Sequence, residues 1–587
     1  MANHPSNQQL AQTFSNVAAV YEILNENFFK IRAYKNAAEA IEHSNEEIKD
    51  IWERGALVKV PGIGASIAQH IDEIFRTGKC DYVAKVLEQV PVTAFKLLEL
   101  PGIGPKTAGR LAYELNLTDP KTLFDELKKA AANNQIANLE GFGKKSQDEI
   151  IESISRFKRA SKQEKRILLG NALLVADDFV TYMQQNKSVD VIEGLGSLRR
   201  KKATLGDLDF AVVTDNPKDV VLHFTTWSQA QKILAAGENT ARIIHVSGIQ
   251  IDIKTTSKDK YGSLLQHFTG SKEHNVALRE YAQKNNLSLS EKGIKNKSTD
   301  KTTKYSSEKD FYKALNMDWI PPELRENNGE IELALVNKLP KLVKLSDIKG
   351  DLHIHSDFPI QPSHDLGRDS MEDVVEQAEK LNYTYIAFSE HNPKKTLSNE
   401  EKLKLVVEKK GKIDKLKTNL VVFNSLEVDI LPDGSLPLDS KTLAELDLVI
   451  ASLHSSFRQS KEDMTKRILR GLSHPKAKVM GHPTGRLIQE REGVDADWHK
   501  IFTFCAENNK ALEINASDKR LDLPEDLARE AKEYGVMFAL GTDAHSKAGL
   551  TNMSFGISVA RRAGLEACDI INTWSLIKFK KWVYDIR

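Results

Sequence analysis

The run Gly196-Ser197-Leu198-Arg199-Arg200 stands just ahead of Gly206-Asp207-Leu208-Asp209-Phe210-Ala211-Val212-Val213. The second stretch passes from polar to apolar, the pattern of a half-buried strand. Side chains alternate along a strand, so Asp207 and Asp209 point to the same face. Further on, Ile251-Asp252-Ile253-Lys254 alternates as regularly, and a neighbouring strand of that kind brings Asp252 to the same place. Three carboxylates gathered this way are the oxygen ligands that two Mg²⁺ or Mn²⁺ ions need, with substrate phosphates completing the coordination. Taken alone, Asp207 and Asp209 read more simply as solvent-facing residues of an edge strand. The run before them argues against that. A glycine turn at Gly196 lets backbone N–H groups approach a triphosphate, Ser197 offers a hydroxyl, and Arg200 neutralises charge.

At 587 residues the chain is too long for one domain, and three to five are expected. No run of about 18 apolar residues occurs, so no membrane span is expected. Met1-Ala2-Asn3-His4-Pro5-Ser6 lacks the basic-then-apolar pattern of a secretory signal. Cys80, Cys505 and Cys568 are too few and too far apart for a disulfide framework, which points to a reducing, cytoplasmic setting. The net charge of +1 means that any nucleic-acid binding must come from local geometry and local charge.

Residues 1–160 read as helices broken by glycine loops. Val60-Pro61-Gly62-Ile63-Gly64 and Leu100-Pro101-Gly102-Ile103-Gly104 are near-copies, each opening a helical pattern (Ala65-Ser66-Ile67-Ala68 and Pro105-Lys106-Thr107-Ala108). Leu139-Glu140-Gly141-Phe142-Gly143-Lys144-Lys145 is a fainter third copy. These resemble helix–hairpin–helix motifs. A single copy is equally a tight inter-helix turn; the repetition argues for the motif. Gly62, Gly64, Gly102, Gly104 and Lys106 are the expected contacts to DNA phosphates, made by exposed N–H groups and the helix N-terminus without sequence preference. The first repeat belongs to a small gap- or 5′-end-binding domain over residues 1–90, the second to a subdomain over 91–160. Residues 161–258 read as a mixed α/β domain holding the carboxylates. Residues 259–336 read as helical and polar, with a lysine-rich mobile loop or solvated hairpin at 291–304, and 337–349 as a linker. From 350 to 587, short apolar strands alternate with amphipathic helices, which predicts a parallel sheet or distorted βα barrel with its chemistry at the strand C-terminal ends.

Phosphate cradle followed by carboxylates is the layout of a nucleotidyltransferase palm. In motif order and spacing the first 336 residues resemble a family X DNA polymerase, the class that includes DNA polymerase beta. A second match is His267-Phe268-Thr269-Gly270-Ser271-Lys272-Glu273-His274-Asn275-Val276-Ala277-Leu278-Arg279. The resemblance implies a palm with a thumb, using Mg²⁺ or Mn²⁺, gapped or primer–template DNA and dNTPs. It implies that Asp207 and Asp209 hold both metals, and that Asp252 binds the catalytic metal and acts on the primer 3′-OH. Gly196, Ser197 and Arg200 would take the triphosphate. Phe268, Gly270 and Asn275 would line the nucleotide pocket, with Arg279 on the template side. Tyrosine is common in the family where His267 stands, which bears on ribose rejection. Some members remove 5′-deoxyribose phosphate through a Schiff-base lysine; the matching positions here are Ser66 and His70, so this lyase activity is expected to be absent or weak. A covalent adduct on borohydride treatment with such a DNA end would overturn that expectation.

The last 238 residues resemble the PHP (polymerase and histidinol phosphatase) domain. The carriers are Asp351-Leu352-His353-Ile354-His355, Ser389-Glu390-His391, Glu427, His454, Gly481-His482-Pro483 and Gly541-Thr542-Asp543-Ala544-His545. His353 and His355 alternate on one strand, and most of the others fall at or just past apolar runs, where a barrel mouth would lie. Imidazole with carboxylate suits Mn²⁺, Zn²⁺ or Fe²⁺, and a cluster of up to three ions is expected. The chain departs from the family twice. Ser389-Glu390-His391 replaces Thr-Asp-His. After His355 an insertion displaces the usual next ligand, leaving His364 or Asp365 as candidates and Asp357 as a weaker one. His4, His43, His223, His245, His474 and His499 read as structural.

Together these features imply a monomeric gap-filling polymerase of base excision repair. Its PHP domain would be a 3′→5′ exonuclease that also processes blocked or abasic ends. Two alternatives stay open. The PHP domain could serve a small phosphate ester or released pyrophosphate, or the chain could be a DNA end-binding module whose metal sites only hold the fold.

Overall fold

The computed structural model describes residues 5, 7–42, 48–53, 55–100, 102–120, 122–161 and 166–585. His4, His43 and Pro101 lie outside them. The chain divides into two units, Met1–Glu164 and Lys165–Arg587.

The first unit is helical and has two cores. Phe14, Val17 and Val20 of the helix Asn7–Ile23 pack with Ile67, Ile71 and Phe75 of the helix Ala65–Thr77 in one. Leu111, Leu127, Ile136 and Ile154 anchor the other. The first core runs to Val90 and the second begins at Ala94, so the change near residue 90 is a change of core. Each glycine repeat makes its turn with a left-handed residue: φ is +99° at Gly62, +86° at Gly102 and +73° at Gly141. At Gly62 a side chain would also meet the Asn36 carbonyl oxygen at 2.9 Å, so only glycine fits there.

The second unit opens with a sheet of five strands, β1 (Val191–Gly194), β2 (Asp207–Val213), β3 (Ala230–Ala236), β4 (Thr240–His245) and β5 (Gln250–Thr256), in the order β1-β2-β5-β4-β3. Only β2 and β5 run parallel. Leu208, Phe210 and Val212 alternate onto one face, where Phe179 and Phe224 from the helices Leu169–Met183 and Pro217–Thr225 cover them. Ala211 points to the other face, against Leu264 and Leu265 of the helix Tyr261–Thr269. That opposite face carries Asp207 and Asp209. The thumb follows with helices Lys272–Lys284 and Glu308–Lys313. The lysine-rich stretch beside them is the solvated hairpin of the two alternatives, pairing Leu287–Ser290, Gly293–Asn296 and Thr302–Thr303.

Residues 337–349 do not hang free as a tether. Leu342 and Val343 are buried, Val343 N–H donates to the Leu565 carbonyl at 3.1 Å, and Arg561 Nη1 donates to the Val343 carbonyl at 3.0 Å. Gln489 Nε2 likewise donates to the Arg166 carbonyl at 2.8 Å, so palm, thumb and C-terminal domain pack as one body.

Seven parallel strands complete the unit, paired in chain order: β6 (Gly350–Ile354), β7 (Tyr385–Phe388), β8 (Val421–Asp429), β9 (Leu448–Ser452), β10 (Ala477–Gly481), β11 (Ala511–Asn515) and β12 (Met537–Gly541). Ile354 bridges to Ala544 and Asp543 N–H donates to the His353 carbonyl at 2.8 Å, which nearly closes the sheet into a barrel. The strands read as apolar runs because both faces are covered. Ile386, Phe388, Met480, Leu512 and Phe538 pack beneath the outer helices. Tyr385, Ala387, Phe423, Ile450, Val479 and Ala539 share a second core with Phe579 and Trp582 of the last helix, Leu576–Tyr584. Phe579 stacks on Tyr385 with centroids 4.5 Å apart, so this helix plugs the barrel at the strand N-terminal end. Among the described residues no helix is long and apolar enough to cross a membrane.

Candidate active sites

In the palm, register decides the geometry. Asp209 on β2 pairs directly with Asp252 on β5, and Asp207 pairs with Gln250. Directly paired residues share a face, so the three carboxylates meet on the face that Ala211 marks. Gly196 has φ +52°, and a Cβ there would lie 3.2 Å from Asp209 Oδ2, so the cradle backbone passes directly over the carboxylates. Two cations attend them. Lys254 Nζ donates to Asp209 Oδ1 at 2.8 Å and Arg242 Nε donates to Asp252 Oδ1 at 2.7 Å. Arg242 lies directly across from Asp252 on β4. Neither cation was singled out from sequence, because pairing across strands is a property of register.

The remaining nucleotide-site candidates lie around the turn after the helix Tyr261–Thr269. Lys254 Nζ sits 4.9 Å from the Phe268 ring centroid. Asn275 Nδ2 donates to the His267 carbonyl at 2.7 Å, which ties the turn to the next helix. Arg200 donates through Nη1 to the Thr269 carbonyl and through Nε to Glu326 Oε1 at 2.9 Å. Its guanidinium thus braces the Gly270 turn. Ser197 and Arg279 are partly exposed. The neighbouring Arg199 is structural: it grips both carboxylate oxygens of Glu308 at 2.9 and 2.8 Å.

In the first unit, Gly62, Gly64, Gly102, Gly104 and Lys106 are all exposed. Gly64 and Gly104 cap their helices without any side-chain hydrogen bond, so the leading N–H groups face solvent. A cleft of about 840 Å³ separates the second and third hairpins, lined by Gly102, Lys106, Arg110, Gly141 and Phe142. Ser66 is exposed, while His70 stacks on Tyr82 with centroids 4.8 Å apart and meets the Tyr34 hydroxyl through Nδ1 at 3.1 Å.

In the barrel, the inner-face alternation continues past the apolar layer into a polar one at the strand C-terminal ends. There it brings together His353, His355, Asp365, His391, Glu427, His454, His482, Asp543 and His545. Glu427 is the hub. Its Oε2 lies 2.9 Å from His391 Nδ1, 3.3 Å from His353 Nε2 and 3.7 Å from His355 Nε2. Its Oε1 lies 2.7 Å from His482 Nε2 and 3.2 Å from His454 Nε2. Asp543 Oδ1 stands 3.2 Å from His355 Nε2. Glycines make the room: a Cβ on Gly541 would fall 2.1 Å from Glu513 Oε1, and one on Gly481 would fall 2.3 Å from Ser452 Oγ. His482 and Asp543 both take positive φ, +26° and +53°, a local strain of the kind found where surrounding structure fixes a functional group.

The insertion after His355 folds back over the mouth. Asp365 reaches His391 Nε2 at 3.2 Å and His545 Nε2 at 3.3 Å. His364 reaches Asp429 Oδ1 at 3.1 Å and packs its ring on His454, with centroids 4.4 Å apart, at the other side of the cluster. Asp357 is exposed. Glu390 also points away from the cluster. It accepts from Ser356 Oγ and pairs with the buried Lys409 Nζ at 2.5 Å, so its length serves the core, while His391 alone faces the site.

Two carboxylates were overlooked in the sequence. Glu513 Oε1 accepts from His353 Nδ1 at 2.7 Å, and Glu513 Oε2 accepts from the backbone N–H of His482 at 2.6 Å. Asp429 Oδ1 accepts from His454 Nδ1 at 2.8 Å. Both hold imidazoles in the orientation that presents the other nitrogen inward. A signal existed. Asp429 lies two residues beyond Glu427 on one strand face, and Glu513 is an acid inside the apolar run Ala511-Leu512-Glu513-Ile514.

Burial alone would keep His353 neutral, but Glu513, Glu427 and Asp543 outweigh it and raise its pKa well above the ordinary value. Burial likewise opposes ionisation of Glu427, yet His454, His391, His353 and His482 hold its carboxyl well below the usual range. The buried Nε2 atoms of His353, His355 and His545, Nδ1 of His391 and Oε2 of Glu427 accept or donate no hydrogen bond. Four sets, each with its ligand atoms within 4.8 Å of one another, could hold an ion: His353/His355/Glu427/Asp543, His355/His391/His545, His391/Glu427/His454 and His364/Asp429/His454. The donor set fits divalent Mn, Zn or Fe. Of the other histidines, His223 stacks on Tyr182, His245 bonds Gln229 and Ser247, His474 follows a helix and His499 lies on one, all outside the cluster.

Comparison with known proteins agrees with this anatomy. Family models match a helix-hairpin-helix domain over residues 5–80, a SAM-like helix-hairpin-helix tandem over 54–117 and again over 95–156, a DNA polymerase beta thumb over 264–326 and a PHP domain over 351–517. The DNA polymerase/3′-5′ exonuclease PolX of Bacillus subtilis (strain 168) is 31% identical over 97% of this chain and 98% of its own. The chain belongs to the bacterial family X DNA polymerases that carry a PHP domain. A probable phosphatase of Thermoanaerobacter sp. (strain X514) is 30% identical over 26% of this family X chain and 64% of its own. One of Caldicellulosiruptor saccharolyticus is 29% identical over 30% of this chain and 74% of its own.

Proposed function

We propose that this chain fills short gaps in DNA from dNTPs, in base excision repair, and that its barrel removes or cleans nucleotides at 3′ ends, abasic and blocked ends included. The observation that carries the reading is the Asp209–Asp252 register beneath the Gly196 cradle, in one body with the histidine cluster around Glu427. Structure alone does not need a phosphate cradle beside three carboxylates.

Asp207, Asp209 and Asp252 would hold Mg²⁺ or Mn²⁺, and the barrel set would hold up to three ions of Mn²⁺, Zn²⁺ or Fe²⁺. Such ions supply charge stabilisation at phosphate oxygens and activate the attacking oxygen at neutral pH. The protein does the rest. Ser197 and the Gly196 backbone receive the triphosphate, the Phe268–Gly270 turn shapes the sugar and base pocket, and Asn275 holds that turn. Asp252 takes the primer 3′-OH proton on Oδ2, which Arg242 leaves free and Gln250 Nε2 meets only at 3.4 Å. In the barrel, Glu513 and Asp429 fix the imidazole orientations, and Asp365 closes the set over the mouth. The hairpins grip DNA phosphates without sequence preference. The chain acts as a monomer in the cytoplasm.

The test is a denaturing gel of a labelled duplex with a single-nucleotide gap, in Mn²⁺, with and without dNTPs. Extension with dNTPs and shortening without them is the expected result. The probable phosphatases matched by the PHP segment favour a second reading, hydrolysis of a small phosphate ester. Extension without shortening, together with turnover of free phosphoesters, would select it.

A further inference from the structure

The helix Met553–Arg562 belongs to the outer layer of the C-terminal barrel, yet its last two residues reach the thumb. Arg561 Nε pairs with Glu323 at 2.7 Å. Arg562 does more, and it is almost fully buried. Its Nη1 donates to Glu326 Oε1 at 3.0 Å and to the backbone carbonyl of Arg200 at 2.7 Å. Its Nε and Nη2 hold Glu525 Oε1 at 3.2 and 2.9 Å. Glu326 Oε1 is the same atom that receives Arg200 Nε at 2.9 Å. One guanidinium of the PHP domain therefore touches both ends of Arg200: its main chain, where the Gly196–Arg199 cradle ends, and its side chain, through Glu326.

Arg200 in turn donates to the Thr269 carbonyl, and its Nη1 lies 2.9 Å from where a Gly270 Cβ would be. The relay thus runs from Arg562 through Glu326 and Arg200 to the turn that forms the nucleotide pocket. Burial opposes ionisation of Glu326, but Arg200, Arg562 and Lys202 hold its carboxyl below the usual range, so the Arg562–Glu326–Arg200 step is ionic. Simple adhesion between domains does not require it. The adjacent Arg561–Glu323 pair, reinforced by Arg561 Nη1 on the Val343 carbonyl, adheres without touching the cradle.

We infer that Arg562, a residue of the PHP domain, is a positioning residue of the polymerase site, holding the cradle and the Gly270 turn in their dNTP-binding arrangement through Glu326 and Arg200. The inference rests on the polymerase reading above. It makes the exonuclease domain part of the scaffold of the polymerase site.

The test uses the full chain and steady-state insertion of one dNTP into a gapped duplex. Arg562→Met and Glu326→Gln should each raise the KM for dNTP roughly tenfold with a smaller change in kcat, the signature of lost pre-organisation at the nucleotide. Arg562→Lys should restore part of it. Arg561→Met, which cuts a neighbouring contact of the same kind, should leave KM within about twofold of the parent. Exonuclease activity, measured on the same preparations, should persist in all four and reports that the barrel is folded. An unchanged KM in both Arg562→Met and Glu326→Gln overturns the inference, as does an equal rise in Arg561→Met. Hydrogen exchange over residues 268–272 is read in parallel and needs no turnover. Faster exchange in Arg562→Met than in Arg561→Met supports the relay even if the parent fails to extend, a failure that would count against the polymerase reading instead. Equal exchange in the two would count against the relay.

Discussion

Asp209 and Asp252 in the palm each hold a side-chain cation, Lys254 and Arg242, on a partly open sheet face. In the barrel, Glu427 is fully buried among five imidazoles, and several ring nitrogens around it make no hydrogen bond. The palm has balanced its charge with residues that can swing away. The barrel rings its carboxylate with imidazoles, several of whose nitrogens make no hydrogen bond. The difference fits two ways of using metal. A polymerase site that receives ions with each nucleotide and releases them with pyrophosphate is served by side-chain cations beside its carboxylates in between. A buried donor set in which several ring nitrogens make no hydrogen bond suits resident ions, since unpaired buried groups are costly.

The sharpest way to break this comparison is to remove one carboxylate from each site. Asp209→Asn should cut gap extension on the order of 10³-fold and spare shortening, whereas Glu427→Gln should do the reverse, since each removes several kcal/mol of metal-borne charge stabilisation. Both activities lost in either variant would mean that the sites are not separate. The next largest effect concerns retention. After desalting, elemental analysis should find ions bound in a stoichiometry that Glu427→Gln lowers and Asp209→Asn leaves alone; equal loss in both would erase the contrast. A finer cut separates the inserted residues. Asp365→Asn should lower metal content and slow shortening by about 10- to 100-fold, with His364→Ala closer to the parent, because the Asp365 carboxylate contacts both His391 and His545 while His364 pairs with Asp429. The reverse ranking would make His364 the ligand. The smallest effect on activity should come from the buried pair behind His391. Lys409→Met alone should cost about 3–5 kcal/mol in urea unfolding by stranding Glu390, and adding Glu390→Gln should recover much of it. No difference between the single and double variants would show that the pair is not coupled.

Much of this was legible in the sequence because strands and barrels turn spacing into direction. Alternation placed Asp207, Asp209 and Asp252, and histidines at strand ends marked the barrel mouth. What escaped depends on which strand lies next to which. Arg242 and Lys254 are ordinary charged residues until β4 and β5 are aligned. Glu513 looks like an acid interrupting an apolar strand until His353 is set across from it. Glu390 stands next to a ligand, yet its partner Lys409 comes from a helix, Asn399–Ile413, that no spacing rule connects to it. The segment 337–349 lacked periodicity because its contacts, with Leu565 and Arg561, are made residue by residue rather than along a face.

The helix Leu576–Tyr584 stops one end of the barrel with Phe579 and Trp582. The barrel interior is a packed core rather than a channel, so its cluster is reached from one side, the mouth at the strand C-terminal ends. A site open on one side favours a polymer that offers an end. Topology would then discriminate before chemistry does, and a single-stranded DNA circle should survive incubation that trims the same sequence in linear form. Cleavage of the circle at a comparable rate would show that a strand bent across the rim reaches Glu427 without presenting an end.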